Sequence, residues 1–122
     1  MVAKILFVGL GGGLGSIFRF LVSHYTNKYY VAVFPLATFI VNITGCLLIG
    51  LIIGFTQRHL SEDIKLFLIT GICGGYTTFS AFAAENFKLF ESGHYLTLAV
   101  YISTSILLGI LAVWGGILLS KL

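Results

Sequence analysis

The chain has 122 residues, of which 58% are hydrophobic and only 9% charged, and its net charge is +3. A soluble domain carries about 25% charged residues, so eleven charged side chains (seven basic, four acidic) cannot cover a water-exposed globule of this length. With a mean hydropathy of +1.06, the composition excludes a water-soluble domain and makes lipid the solvent for most of the chain.

A helix needs about 20 apolar residues to cross the hydrocarbon core, and four such stretches follow one another with short polar segments between them. The first runs from Ala3 to about Ser23. It has no A-x-A-like cleavage site and more apolar runs follow, so it reads as a retained span rather than a cleaved leader. Its run Gly11-Gly12-Gly13-Leu14-Gly15 fits neither GxGxxG nor GxxxxGK and is no phosphate loop. The pairs Gly9/Gly13 and Gly11/Gly15, like Gly50/Gly54 in the second span, instead have the spacing that lets helix backbones approach closely in lipid. Arg19 lies near the end of this span, within snorkelling reach of the interface. There it would anchor the helix end or draw anions to a vestibule.

The second span starts at Pro35, a favoured first-turn position for proline, and ends near Phe55. Asn42 stands mid-way along it, with Thr38 one turn before. Polar side chains in lipid face a partner or a water-filled path. Two readings of Asn42 are open: an interhelical hydrogen bond, worth only ~0.6 kcal/mol on average, or an uncharged donor and acceptor on a permeation path.

The third span, Ile64 to Phe90, carries Gly74-Gly75-Tyr76-Thr77-Thr78 at its centre. Glycine costs a helix roughly 1 kcal/mol against alanine, so the pattern predicts a break near 74–78, with a plain packing notch as the alternative. A break in lipid is tolerated only where protein or a cavity satisfies the freed groups, and unwound carbonyls can coordinate a cation. Beyond it Phe79, Phe82 and Glu85 share one helical face, flanked by Ser80 and Asn86. A phenyl ring is positive at its edge, so ring edges can face an anion without the strong hydration of a fixed positive charge.

The fourth span runs from Tyr95 to Leu119. Thr97, Tyr101 and Ser105 recur every four residues and lead to Gly109, a hydroxyl stripe with Ser103 and Thr104 beside it. Such hydroxyls donate to a passing anion or join helices to one another. Helices are the only way to pair the backbone over runs this long in lipid. The predicted fold is therefore an all-α integral membrane protein, one four-helix domain over residues 1–122.

Other residues are less telling. Cys46 and Cys73 lie 27 residues apart inside apolar runs with no CxxC, against both a zinc site and a disulfide framework. His24, His59 and His94 sit near the ends of apolar runs, as interfacial residues do. Basic residues stand singly, which excludes a nucleic-acid patch. Lys4, Arg58, Lys65 and Lys121 fall on the side of both termini, and Arg19, Lys28 and Lys88 on the other. Four against three is almost no orienting bias. Either the chain inserts both ways, which allows an antiparallel homodimer, or the span assignment conceals a real bias.

The segment Gly74-Gly75-Tyr76-Thr77-Thr78-Phe79-Ser80-Ala81-Phe82 resembles the GG-x-TTFS-x-F signature of the Fluc (CrcB) fluoride channels. Val41-Asn42-Ile43-Thr44-Gly45 is similar to that family's VN-x-x-G, and the early glycine run followed by Arg19 also matches. The resemblance implies a dual-topology antiparallel homodimer in the cell membrane, with two fluoride pores. It makes Phe79 and Phe82 the ring-edge ligands and Asn42 a hydrogen-bonding pore residue. Tyr101 and Ser105 become a polar track with Thr78 and Ser80 nearby. Glu85 matches the family's acidic residue after the second Phe, and Arg19 a vestibule position. Gly74 and Thr77 would give backbone carbonyls to a structural sodium ion at the dimer interface. Ala81 departs from the pattern, where threonine is common, so any hydroxyl contribution there is lost.

The chemistry accords with this. HF crosses lipid uncharged and ionises in a near-neutral cytoplasm; a negative-inside potential then drives the anion out by roughly 2.3 kcal/mol per 100 mV. A passive path suffices, and the sequence has neither a nucleotide motif nor a carboxylate pair. The rival is a proton-coupled exporter of the small multidrug-resistance type. It requires an acid in the first span, where this chain has none; Glu85 is the one candidate.

Overall fold

The computed structural model describes the backbone of residues 1–122 and the side chains of all but residues 57–59, so the side chains of Arg58 and His59 lie outside the description. Every regular element among the described residues is helical. In chain order these are α1 (Val2–Tyr29), α2 (Leu36–His59), α3 (Glu62–Lys65), a wide-turn π-helix π1 (Leu66–Cys73), α4 (Gly74–Tyr76), α5 (Phe79–Glu91) and α6 (Tyr95–Leu119). Four stretches are long and apolar enough to cross a bilayer: Val2–Tyr29, Leu36–Thr56, Glu62–Glu91 and Tyr95–Leu119. The chain is a multi-pass membrane protein.

The helices overrun the apolar runs because hydropathy marks only the hydrocarbon layer. α1 continues past Ser23 to Tyr29. Its last turn carries Lys28, whose charge suits a helix C-terminus, and Tyr25 and Tyr29 have the amphipathic rings found at membrane interfaces. α3 starts ahead of Ile64 because Ser61 caps it, its hydroxyl accepting from Ile64 N at 3.4 Å, with Glu62 and Asp63 in the first turn. Pro35 sits just before α2 rather than within its first turn. Its ψ of 70° is non-helical, while its carbonyl accepts from Phe39 N at 3.1 Å.

Two helix pairs build the domain: α2 lies along α6, and α1 along π1 and α4. Glycines set both contacts. A Cβ on Gly71 would stand 2.8 Å from Gly11 Cα, and one on Gly15 would stand 2.7 Å from Tyr76 N. In the other pair a Cβ on Gly116 would meet Leu51 N at 2.7 Å. With no hydrophobic drive between helices in lipid, such main-chain proximity supplies the association through van der Waals contact. Of the two spaced pairs in the first span, the chain uses only Gly11/Gly15. Nothing lies within 4 Å of a Cβ at Gly9 or Gly13.

The third span is one element only loosely. Its helical winding stops at Thr77 (φ −78°, ψ 158°) and Thr78 (φ −149°, ψ 117°), both extended, and resumes at Phe79. Thr78 caps the new helix, its hydroxyl accepting from Ala81 N at 3.2 Å.

Because Gly71 meets backbone that cannot move aside, Gly71→Val should lower the thermal midpoint of the detergent-solubilised protein sharply. Overpacking of this kind costs about 1–3 kcal/mol. Gly9→Val, at an open position, should leave the midpoint within a degree or so of the parent's; equal losses at both sites would show that the crossing does not depend on glycine.

Candidate functional site

The extended step at Thr77–Thr78 frees backbone groups inside the membrane, and side chains from two other spans take them up. Asn42 on α2 uses both ends of its amide on one residue. Thr78 N donates to Asn42 Oδ1 at 2.8 Å, and Asn42 Nδ2 donates to Thr78 O at 3.1 Å. Arg19 on α1 donates from Nη1 to Thr77 O at 3.2 Å. Ser16 donates to Gly75 O at 3.5 Å. Arg19 thus reaches the middle of the third span, deeper than the interfacial position its place in the sequence suggests, and is held by a carbonyl there.

A cavity of about 420 Å³ opens beside this step. Asn42, Gly74, Thr77, Thr78, Phe79, Phe82 and Ser105 line it, together with Cys46 and Cys73. Phe79 is 78% exposed in the single chain, and its ring centroid lies 5.8 Å from that of Phe82. Ser80 is not part of the lining; its hydroxyl joins the site through Thr78 Oγ1 at 3.3 Å. Ser105 stands out because its hydroxyl is buried and has no partner among the described residues.

Beyond Phe82 the chain places a buried polar knot. The Phe82 and Tyr101 rings lie 5.0 Å apart, and Tyr101 is wholly buried. Tyr101 Oη donates to Glu85 Oε2 at 2.7 Å, while Thr38 Oγ1 donates to Glu85 Oε1 at 2.5 Å. Each oxygen of the carboxylate therefore has a neutral hydroxyl donor, the arrangement a charge needs where water is scarce. Of the hydroxyl stripe on α6, Tyr101 braces Glu85 and Ser105 faces the cavity.

Thr38, one turn from Asn42 on α2, was visible as a polar residue in the sequence, but its bond to Glu85 was not. Thr44 and Tyr76 were missed too. Their hydroxyls meet at 2.8 Å and tie α4 to α2 just before the extended step. A tyrosine inside a glycine-threonine run was the available signal.

The arrangement gathers neutral donors, aromatic rings and one hydroxyl without a partner around the cavity and the adjoining polar knot, with Arg19 and Glu85 each held by protein groups. It suits a small anion that must shed water.

The chain matches the family described as CrcB-like protein, Camphor Resistance (CrcB), over residues 6–117. It is 50% identical to a fluoride-specific ion channel FluC of Flavobacterium psychrophilum, with 96% of each chain covered. It is 46% identical to the protein of that name in Azobacteroides pseudotrichonymphae, over 99% of this chain and 98% of the other. A third, from Phocaeicola vulgatus, is 45% identical over 97% and 98%. Matched along almost its whole length by the family and by these relatives alike, the chain belongs to the CrcB family.

Proposed function

We propose that the protein is a fluoride-selective channel of the plasma membrane, which lets cytoplasmic fluoride leave passively and so confers fluoride resistance. The relatives bear that name, and the observation that carries the reading is Ser105. A buried hydroxyl without a partner costs about 1–3 kcal/mol, and Ser105 lines the cavity, so its proton is available to a polar species there. Fluoride, small and strongly hydrated, is the anion best served by closely spaced weak donors that replace its water. The proton on Asn42 Nδ2 not given to Thr78, the Ser105 hydroxyl and the edges of Phe79 and Phe82 supply them. No bond is made or broken, so the protein is not an enzyme.

The extended step at Thr77–Thr78 is, in this reading, the functional break of the third span. The path continues from it past Phe82 to Tyr101 and Glu85, with Thr78 and Ser80 beside it and Arg19 holding the step from behind. A second copy in antiparallel orientation completes the assembly, consistent with the small charge bias and with the exposed Phe79 and Gly74. Gly74 and Thr77 would hold a sodium ion there. Thr78 N, which would otherwise close the helix onto Gly74 O, is bonded to Asn42 instead. Thr77 O keeps one lone pair beside its bond from Arg19. Neutral carbonyl oxygens suit a hard cation, and the ion would fix the two chains to each other.

The purified protein in liposomes should release fluoride to an external electrode only when a potassium ionophore permits charge balance, with no matching chloride release. Absence of release from folded protein would remove the channel reading. Ser105→Ala should assemble normally yet lose about ten- to a hundredfold in flux, since a hydrogen bond to a charged group is worth about 1.5–3 kcal/mol; full flux would place the path elsewhere. In detergent the particle should have twice the 13.2 kDa chain mass. Its thermal midpoint should fall by a few degrees when N-methylglucamine replaces sodium, because an ion bound only by the folded state stabilises it; an unchanged midpoint would exclude the ion.

A further inference from the structure

A second cavity, of about 290 Å³, is lined by Glu85, which does not line the first. Its walls include Val33 and Pro35 from the segment between α1 and α2, Glu85 and Lys88 from α5, and Ser92 and His94 from the turn into α6. These connecting segments share one side of the membrane, the side on which α1 and α5 end. The cavity is therefore at the water's edge, with room for several waters at about 30 Å³ each.

Its charges are arranged in depth. Glu85 forms the inner wall, with its carboxylate satisfied by Thr38 and Tyr101. Lys88 stands one helical turn further out, exposed, and makes no ion pair among the described residues. His94 also lines the cavity, its Nδ1 2.8 Å from Ser92 Oγ. Glu91, exposed at the same helix end, does not line the cavity. A lining acid alone would repel an anion, whereas an unpaired ammonium outside it offsets that field and raises the local anion concentration.

We propose that this cavity is the mouth through which the anion path meets water on its second side, and that Lys88 is the group that draws the anion in. The inference rests on the channel reading and adds an entrance and a charged residue to it. The continuity is physical: Phe82 lines the first cavity, Phe82 packs on Tyr101, Tyr101 holds Glu85, and Glu85 lines the second cavity. Lys88 is a positioning group for diffusing anions and touches no dehydrated ion, so its effect has the signature of long-range charge.

The test is fluoride efflux from liposomes holding the full-length protein, at limiting fluoride, in about 10 mM and about 300 mM ionic strength set with potassium gluconate, where the screening length falls from about 30 Å to well under 10 Å. Lys88→Glu should lower flux about fivefold to tenfold at low ionic strength, Lys88→Gln about half as much on a logarithmic scale, and Lys88→Arg very little. The differences should collapse at high ionic strength. Lys28→Glu makes the same charge change on the same side of the membrane at a residue that does not line the cavity, and should lower flux clearly less than Lys88→Glu. Equal flux in Lys88→Glu and the parent at low ionic strength would overturn the proposal, as would an equal loss in Lys28→Glu. A loss that persists at high ionic strength would also overturn it, since that is the mark of damage to folding. A parent protein without fluoride flux would instead overturn the channel reading itself.

Discussion

A backbone that leaves helical winding in the middle of a membrane must have its amides and carbonyls taken up by protein, because water is not there to do it. The two threonines at positions 77 and 78 impose this constraint on the rest of the fold. Asn42 must be opposite Thr78 with both ends of its amide, so α2 is fixed in height and rotation against the third span. Arg19 must come from the other side to Thr77, which fixes α1. Each unsatisfied group would cost several kcal/mol, more than the contact energy of most lipid-facing side chains. The step is thus a structural keystone as well as a wall of the cavity.

The same bonds explain how a charged protein interior can serve an anion. Arg19 brings a positive charge inward, and a carbonyl engages it. Glu85 brings a negative one, and two hydroxyls engage it. Neither lines the cavity beside the step, whose own donors are weak and neutral. A bare cation would hold a halide too tightly for it to leave. Conduction needs binding that is favourable enough to enter and weak enough to exit.

Much of this was legible in the sequence and some was not, for identifiable reasons. The spans were legible because hydrocarbon thickness sets helix length, and their true ends were not, because caps and interfacial rings carry α1 to Tyr29 and start α3 at Glu62. Gly74 and Gly75 drew attention to the centre of the third span, yet both are wound helically in α4; Gly75 serves the approach to Gly12, and the extended residues are the threonines. Spacing placed Phe79, Phe82 and Glu85 on one face of a helix. It could not show that Glu85 turns toward Thr38 of α2 and Tyr101 of α6, since pairing between helices distant in sequence leaves no periodic trace. Arg19 misled for a similar reason: its position along α1 suggested an interface, and only the tertiary partner revealed its depth.

The crossing of α1 over π1 and α4 has one more consequence. Where main chain touches main chain through Gly11, Gly15, Gly71 and Gly75, there are no rotamers to freeze on assembly and none to fluctuate afterwards. A long side chain at a contact loses about 1.5–2 kcal/mol of conformational entropy when immobilised; glycines lose nothing of that kind in the membrane-inserted helix. The seam therefore behaves as a stiff hinge pin with a single seating. The height at which Arg19 meets Thr77 is thus set by main-chain van der Waals contact between the two helices, with the Arg19 side chain spanning the remaining gap.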